Sequence, residues 1–365
     1  MLESIKFKNF RGFKSLELPD LSQITLLTGK NSAGKSSVLE GIFLLMDYSA
    51  PNVLENIRKL RGLPDPSDIT KLWEPLFYNF DTSKTIEISA DCQKKYLNLK
   101  YERDDHFPTL HKNQNILNTL ITFSNPPALY YALRYSFTDG NATQNGHIFL
   151  NPTTGPNGSL AMTIKFESNS NDKFKVPTTG IIKFDPASNK DYSVLAEWLG
   201  YLDLMGQHQS IVDALQIIND EIVDIMVVFQ QKNPQIYLKF KTGKSSFPLA
   251  LAGDGMCKLL YLVLSVLSNP DSIILIDEIE TGFHYSIQES LWKKLAKAAK
   301  KSNTQIIATT HSYECIQNAV AGIDQAGMSK NFSLHRIDKI GDQSKATHYS
   351  GDLVKYAVDS LMEVR

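Results

Sequence analysis

The sequence predicts an α/β fold with a mostly parallel core sheet flanked by helices, and three stretches carry this prediction. The first is a glycine-rich loop at residues 29–37, which lies between an apolar run and a pattern of helical spacing. The other two are apolar runs at residues 272–276 and 304–310 that end in polar side chains. Short apolar runs of this kind, separated by a helical pattern, are typical of buried parallel strands.

The glycine-rich loop matches the phosphate-binding pattern G-x-x-x-x-G-K-[ST] at every fixed position. Gly29 and Gly34 permit backbone angles that turn successive N–H groups inward, and the helix after the loop adds its positive end. Lys35 is expected to reach the β- and γ-phosphates, and the Ser36 hydroxyl is expected to ligate Mg²⁺. A chance glycine turn is the weaker alternative, because a strand and a helix flank the loop. The other loop positions expected to surround the nucleotide are Asn31, Ser32, Ala33 and Ser37.

Composition predicts a folded chain with more than one lobe. Its 365 residues exceed the length that one core usually fills, so we expect a core with a sizeable insertion. A net charge of −1 argues against a uniformly basic nucleic-acid binder, although it leaves room for a local basic patch. Three widely spaced cysteines predict neither a disulfide framework nor a zinc site. Without a signal-like N-terminus or a long apolar run, the chain is expected to be cytoplasmic, with no membrane partner.

A second, antiparallel sheet is predicted beside the core. Residues 2–18 alternate apolar and polar side chains on either side of Arg11 and Gly12, which predicts two short strands joined by a turn. Residues 85–90 and 96–102 alternate in the same way. We therefore expect all four segments to form one antiparallel subdomain.

The middle of the chain is expected to be an insertion. Residues 104–180 are rich in Asn, Thr, Gly and Pro, which predicts loops with short strands and no assignable role. Residues 192–225 repeat apolar side chains at helical spacing and predict a small helical lobe, with a strand at 235–241. The expected divisions are an N-terminal lobe with the phosphate loop, the insertion, and a C-terminal lobe, at residues 1–103, 104–245 and 246–365.

The apolar run at residues 273–276 ends in Asp277 and Glu278. Beside a phosphate loop, this arrangement predicts that Asp277 holds Mg²⁺ and that Glu278 polarises the attacking water as a general base. An apolar strand ending in two acids is as often structural, and the complete phosphate loop is what favours catalysis. His311 follows the next apolar run, where parallel sheets bind ligands, so we expect it at the γ-phosphate; a structural histidine is the alternative.

Taken in order, these motifs resemble an ABC-type ATPase head of the SMC/RecF-like superfamily. The resemblance is carried by the opening strand with Asn-Phe-Arg-Gly-Phe, the phosphate loop, a glycine turn at residues 251–255 before a helix, and the segments Ile-Asp-Glu, Glu-Thr-Gly-Phe-His and Thr-Thr-His-Ser. Within the superfamily, the chain is most similar to bacterial AAA-family ATPases related to OLD proteins and to abortive-infection or phage-defence ATPases. The resemblance implies a P-loop NTPase fold of the ABC-ATPase type that hydrolyses ATP to ADP and phosphate.

The resemblance also implies that ATP is bound between the two heads of a homodimer. By this resemblance Gly253 and Gly255 would form the signature turn and reach the partner's γ-phosphate. His311 would be the switch histidine, and Arg11 would lie near the base or ribose.

The chain departs from the family pattern within the signature turn. Ala252 stands where a Ser is usual, and Asp254 stands where a second Gly is usual. An acid near a γ-phosphate would repel it unless the acid faces away or pairs with a base. These departures imply that activation by the partner is weak or differently built. No clear Q-loop glutamine follows the phosphate loop either.

A group of lysines falls on one face of the helix predicted at residues 286–300. A solvated helix surface is the more frequent explanation, and contact with the phosphate backbone of DNA is the functional alternative. The group consists of Lys293, Lys294, Lys297, Lys300 and Lys301.

The first functional hypothesis is an ATPase whose nucleotide state controls head-to-head dimerisation and regulates a separate effector protein. A nuclease or a toxin in bacterial phage defence is the expected kind of effector, because the chain itself carries no recognisable nuclease motif; this step rests on analogy. A RecF-like DNA-repair ATPase is one alternative, and DNA-stimulated hydrolysis would favour it. A nucleotide-gated scaffold with little turnover is the other, and Ala252 and Asp254 keep it open.

Overall fold

The structure is a computed structural model, and its description covers most of the chain. The described residues are 1–48, 57, 73–104, 132–140, 142–154, 160–168, 179–182, 192–230, 233–241, 246–360 and 362–364. Elements are numbered below in chain order within these residues.

An antiparallel sheet of seven strands is built from the N-terminal third of the chain and from part of its middle. Its strand order is β2-β1-β4-β5-β6-β7-β8. The strands are β1 (Leu2–Phe10), β2 (Phe13–Leu18), β4 (Ile86–Cys92), β5 (Lys95–Asp104), β6 (Ala132–Asp139), β7 (Ala142–Thr154) and β8 (Leu160–Ser168). The four strands predicted from alternation are confirmed as β1, β2, β4 and β5.

The core sheet has six strands in the order β16-β15-β3-β14-β13-β9, and every neighbouring pair except β15 and β16 is parallel. This confirms the mostly parallel core predicted from the apolar runs. The strands are β3 (Ile24–Thr28), β9 (Thr179–Ile182), β13 (Ile273–Ile276), β14 (Gln305–Thr309), β15 (Phe332–Ile340) and β16 (Gln343–Ser350).

A third, small sheet and a set of helices complete the described fold. The small sheet joins β10 (Ile222–Gln230), β11 (Asn233–Phe240) and β12 (Phe247–Pro248). The helices are α1 (Lys35–Met46), α2 (Tyr192–Leu204), α3 (His208–Leu215), α4 (Asp254–Ser268), α5 (Tyr285–Ser302), α6 (Tyr313–Gln325) and α7 (Gly351–Asp359). Short 3₁₀ turns span Glu74–Leu76, Tyr78–Phe80, Leu249–Leu251 and Ser329–Asn331.

Helix α1 lies between the two large sheets. It contacts β1, β4 and β5 of the antiparallel sheet and β9, β13 and β14 of the parallel sheet. Every residue from Ser37 to Met46 is buried, so the helix has no solvated face. This explains why its sequence is apolar almost all round, as expected for a helix inside a core.

The parallel strands are apolar at successive positions because each of their faces belongs to a different core. Ile273 and Leu275 pack with α1 and the antiparallel sheet. Ile274 and Ile276 face the other way, toward the core that contains α4, α5 and α6. A strand covered on both faces has no polar side, and this is the pattern that predicted it.

The prediction of loops with short strands for residues 104–180, one of them expected at residues 160–166, is confirmed at β8 but wrong for β7, a strand of 13 residues. Strands β6, β7 and β8 extend the antiparallel sheet, and β7 reaches Thr154, inside a stretch expected to be loop. Gln144, Gly146 and Ile148 all point to the buried face of β7. Because only the last of these is a large apolar residue, the strand has no visible apolar alternation. The Tyr48 hydroxyl donates to the Gln144 side-chain oxygen at 2.7 Å, which stabilises this inward-facing amide.

The helical lobe predicted at residues 192–225 is confirmed only as far as α3. Ile222 and Ile225, the last apolar residues of the stretch predicted to be helical, lie in strand β10 instead. The pairing of β10 with β11 shifts register between Ile222 and Asp224, which is a β-bulge. Because of the bulge, Ile222 and Ile225, three positions apart, lie on the same buried side of the strand. Their spacing in the sequence is therefore the same as that of apolar residues in a helix.

Gln305, at the beginning of β14, joins the two large sheets. Its side chain is fully buried; it accepts a hydrogen bond from Leu2 N at 2.8 Å and donates to Leu2 O at 2.8 Å and to Ser22 O at 3.0 Å. The amide therefore ties the first residue of β1 to the core sheet. A buried amide that satisfies backbone groups on both sides is costly to replace with an apolar side chain.

We expect Gln305→Leu to lower the free energy of unfolding by roughly 3 kcal/mol, because it leaves buried backbone groups of Leu2 and Ser22 without these partners. Chemical denaturation followed by fluorescence measures this change. Gln343→Leu, at an exposed position of β16, is the matched control and should change stability by less than about 0.5 kcal/mol. Equal effects of the two substitutions would show that Gln305 does not join the sheets energetically.

Candidate nucleotide site

The phosphate loop has the backbone of an anion-binding nest. Left-handed φ angles occur at Gly29 (132°), Ser32 (64°) and Gly34 (101°), and α1 begins directly after the loop. Alternation of left- and right-handed residues turns successive N–H groups toward one point, and the N-terminus of α1 adds unpaired N–H groups and a positive dipole end. The loop is therefore shaped to receive phosphate oxygens.

Close packing as well as backbone angle requires the two loop glycines. A Cβ added to Gly29 would lie 2.2 Å from the backbone oxygen of Ile337, and one added to Gly34 would lie 2.4 Å from the ring of Phe13. Ile337 belongs to β15, and Phe13 belongs to β2 of the antiparallel sheet. The loop therefore packs against both sheets, and these contacts fix its conformation.

The Lys35 ammonium lies on the loop itself. Its Nζ donates to Gly29 O at 2.7 Å and to Lys30 O at 3.2 Å. Burial lowers the pKa of this amine, while the charges of Asp277, Glu280 and Glu278 oppose the shift. A lysine held over the nest and near three carboxylates is placed to share its charge with a bound phosphate.

Asp277, at the end of β13, meets the phosphate loop through Ser36. The Ser36 hydroxyl donates to Asp277 Oδ1 at 3.0 Å, so the two predicted metal ligands are adjacent. Hydroxyl and carboxylate oxygens suit a small hard divalent cation. No group of three or more His, Cys, Asp or Glu side chains in the described part of the chain can hold a metal ion alone. A cation at Ser36 and Asp277 would therefore need oxygens from the nucleotide.

Thr309, the last residue of β14, is a site residue that the sequence did not reveal. Its hydroxyl donates to Asp277 Oδ1 at 2.6 Å and accepts from the backbone N–H of Glu278 at 2.8 Å. The side chain is fully buried. Thr309 thus fixes both acids at once, and only the alignment of β13 with β14 in three dimensions identifies this role.

Glu278 has an exposed side chain at the edge of the site and an unusual backbone. Its φ is 48°, a left-handed angle that is uncommon for residues other than glycine. Thr281 donates a hydrogen bond to Glu278 Oε2 at 3.3 Å. The backbone turns sharply here, directly after β13, and turns the Glu278 side chain away from the core.

Glu280 and His311 form a second pair that the sequence analysis did not connect. Glu280 is buried, and its Oε1 accepts from the backbone N–H of His311 at 2.9 Å and lies 2.9 Å from His311 Nδ1. The imidazole itself is more than half exposed. A carboxylate bound to Nδ1 orients the ring and directs the other nitrogen outward.

The predicted signature glycines lie at the beginning of α4, on a surface that faces solvent. Gly253 and Asp254 are exposed, and a Cβ on Gly253 would meet no other atom within 4 Å. Asp254 is in the first turn of α4, where an acid stabilises the helix dipole. Stabilisation of the helix dipole is therefore a structural explanation for an acid at this position. Gly255 instead packs against the turn after β13, where a Cβ would lie 2.7 Å from Gly282 O.

Arg11 lies in the turn between β1 and β2, beside α1. Its Nε is 3.1 Å from Glu40 Oε2, and its Nη1 donates to Pro75 O at 2.7 Å. Both members of the ion pair are nearly buried. Arg11 thus neutralises the one acid within α1, and its contact with a base or ribose stays a prediction.

The profile of one protein family, described as "AAA domain, putative AbiEii toxin, Type IV TA system", matches residues 24–316. An ATP/GTP phosphatase from Helicobacter pylori is 26% identical over 360 residues, which cover 93% of this chain and 94% of that protein. An OLD nuclease from Thermus scotoductus is 33% identical over 96 residues, which cover 26% of this chain and 15% of the nuclease.

Among solved structures, the Smc head domain with an extended coiled coil, bound to the C-terminal domain of ScpA from Pyrococcus furiosus, has a similar fold. It aligns with a TM-score of 0.50 at 12% identity and covers 99% of both chains. Because the family profile spans most of the sequence, the chain belongs to this AAA-domain family. It is an ATPase of this family with a fold like that of the Smc head, so the resemblance predicted from the motifs is confirmed. None of the helices within the described residues is long and apolar enough to cross a membrane.

We expect Thr309→Val to lower kcat/KM for ATP by roughly 10- to 100-fold, as is common when a residue that orients metal ligands is lost. Valine keeps the shape but removes both hydrogen bonds to the acids. Steady-state phosphate release at varied ATP and metal concentrations measures the effect. Thr25→Val is the control. Thr25 lies near the beginning of β3, at the end of the sheet away from the phosphate loop, and the substitution removes a buried hydroxyl that is bonded to Ser22 and Ser333. Equal activity of the two variants would contradict the role of Thr309.

Proposed function

We propose that ATP binding brings two copies of this head together and that hydrolysis separates them, so that the nucleotide state regulates a separate effector. The observation that carries this proposal is the cluster in which Ser36 and Thr309 both donate to Asp277 while Thr309 also holds Glu278. The side chains proposed as metal ligands, as the phosphate-binding lysine and as the general base thus all lie at one edge of the parallel sheet. This edge is where sheets of this type bind ligands.

The side chains would divide the work of hydrolysis between them. The nest and Lys35 would bind the phosphates, and Ser36 and Asp277 would hold Mg²⁺, which would neutralise charge on the phosphate oxygens. Glu278 accepts a proton from the attacking water, and its exposed carboxylate is accessible for this role. Glu280 orients His311 toward the γ-phosphate.

The exposed signature turn supports the two-headed arrangement. Gly253 is open to solvent, and Leu251, two residues earlier at the end of a 3₁₀ turn, is 68% exposed. A second head seated there would cover this surface and bring Gly253 to the partner's phosphate. Asp254 would then have to face away from that phosphate, consistent with its place in the first turn of α4.

A role in bacterial phage defence is supported by the relatives. The family description names an AbiEii toxin and a type IV toxin–antitoxin system, and one relative is an OLD nuclease. We infer that the present chain supplies the ATP-driven switch and that a separate nuclease or toxin is its effector. Co-purification of the products of the native operon tests this step, and a solitary protein at native expression levels would count against it.

We expect Glu278→Gln to stop hydrolysis while retaining ATP binding, because an amide cannot accept the proton from water. With ATP and Mg²⁺ the variant should accumulate as an assembly of twice the solution mass, measured by light scattering alongside phosphate release. Glu221→Gln, at an exposed turn before β10, is the charge-matched control and should behave as wild type. A mass that does not respond to ATP, in a variant that still hydrolyses it, would exclude both the base assignment and the shared site.

DNA is a second candidate partner, and one feature of the structure favours it. Lys294, Lys297 and Lys301 converge on a concavity of about 170 Å³ between α3, α4 and α5, together with Ser210 and Asp213. Lys293 donates to the Gln325 side chain at 3.0 Å, and Lys301 also donates to Gln207. A concave cluster of three ammonium groups attracts a phosphate backbone.

If this surface binds DNA, replacing Lys294, Lys297 and Lys301 with Ala should weaken binding and reduce the slope of log K against log salt by about 2–3. Fluorescence anisotropy with a labelled duplex at several salt concentrations measures both quantities. Replacing Lys239, Lys241 and Lys345 removes the same charge from exposed positions elsewhere. Equal slopes in the two triple variants would assign the lysines to an ordinary solvated helix surface.

A further inference from the structure

Lys258 is a buried lysine on α4, the helix that begins at the signature turn. Only 1% of its surface is exposed. Its Nζ donates to Glu278 O at 2.9 Å, to Ile279 O at 3.2 Å and to Thr281 O at 2.7 Å. An ammonium group has three N–H donors, and here three carbonyl oxygens of one turn lie within their reach.

A buried ammonium is costly, so its presence on the apolar face of a helix calls for a specific cause. Burial lowers the pKa of Lys258 to about 8, and the nearby acids Glu280 and Glu278 oppose the shift. The ammonium also lies 5.3 Å from the centre of the Phe283 ring. A leucine or methionine would fill the same volume without removing a charge from water, and would pack well on this face. An apolar residue, however, could not donate hydrogen bonds to the carbonyl oxygens of the turn after β13.

That turn carries the proposed general base. Glu278 has a left-handed φ of 48°, and left-handed angles of non-glycine residues persist when surrounding contacts hold them. Lys258 supplies such contacts at the Glu278 carbonyl itself. Gly255, one turn earlier on α4, adds a second contact, since its Cα packs so closely on Gly282 that a Cβ would lie 2.7 Å from the Gly282 oxygen. The signature helix and the turn that carries Glu278 are thus joined at two points.

We propose that Lys258 is a positioning residue that transmits the occupation of the signature turn by a partner's nucleotide to the backbone of Glu278. The inference rests on the proposed function, because it assumes that the signature turn meets the partner's ATP. If the partner head displaces α4 of this chain, the Lys258 side chain would pass the displacement on to Glu278 of the same chain. Hydrolysis by one head would then respond to the ATP bound on the second head, in addition to the contact of the partner's signature turn with the γ-phosphate.

The test compares Lys258→Met, Lys258→Arg and the exposed control Lys239→Met. We expect Lys258→Met to bind ATP and to form the ATP-dependent assembly as wild type does, with KM within about twofold. Its kcat should fall by at least about tenfold, because a base displaced by a fraction of an ångström loses its alignment with water. Lys258→Arg, which keeps the positive charge and several donors, should recover a substantial part of kcat, and Lys239→Met should match wild type.

Thermal unfolding and hydrogen exchange separate positioning from folding. Lys258→Met should show faster exchange of the amides at Ile279, Thr281 and Phe283, which donate to carbonyls in and beside this turn, while amides in α1 keep their protection.

An unchanged kcat, or a fall in kcat that matches the fraction of unfolded protein, would overturn the proposal. If wild type fails to assemble with ATP, the proposed function fails and coupling between heads fails with it; the Glu278→Gln experiment registers that outcome independently.

Discussion

The rest of the structure depends on the burial of α1 between two sheets. A phosphate-binding loop works only if its N–H groups stay aimed at one point, and the helix that follows the loop has no solvated face along which it could shift. The loop is held at its beginning by β15, through Ile337, and at its end by Phe13 of the antiparallel sheet. Rigid placement of the donors before the ligand arrives is what makes such a site effective, since little reorganisation is needed when phosphate binds.

Parallel strand alignment then brings the remaining groups to this loop. β3 lies beside β14, and β14 lies beside β13, so the residues after each strand meet at one edge of the sheet. Asp277, Thr309 and the loop come from segments far apart in the chain, yet hydrogen bonds of 2.6 to 3.0 Å connect them. The residues that leave the sheet next, Glu278 and His311, inherit their positions from this alignment. Chemistry at this edge therefore follows from register as much as from residue type.

The sequence alone predicted those parts of the site that have a local pattern. Ser36, Lys35 and Asp277 stand at fixed places relative to a glycine loop or an apolar run, and the hydrogen bond from Ser36 to Asp277 joins the loop to the end of β13. Thr309, Glu280 and Lys258 have no such pattern, because each acquires its role from a partner that only folding brings near. The fold shows the same division. Buried parallel strands were predicted from continuous apolar runs. Strands β7 and β10 lack a regular alternation of apolar and polar residues, because Gln144 and Gly146 lie on the buried face of β7 and a bulge interrupts the alternation in β10.

Buried charged groups near the ends of the strands share one further property. Arg11 with Glu40, Glu280 with His311 after β14, and Lys258 with the carbonyls after β13 each bind a turn or a strand end. Such groups are not an efficient source of stability, because burying charge is costly even when it is paired. Hydrogen bonds, unlike apolar contacts, have a required direction and length, so they define the position of a loop more closely. The buried charges therefore lie where the chain must hold non-repetitive backbone in one conformation, and the signature helix has one of them at the point where it meets Glu278.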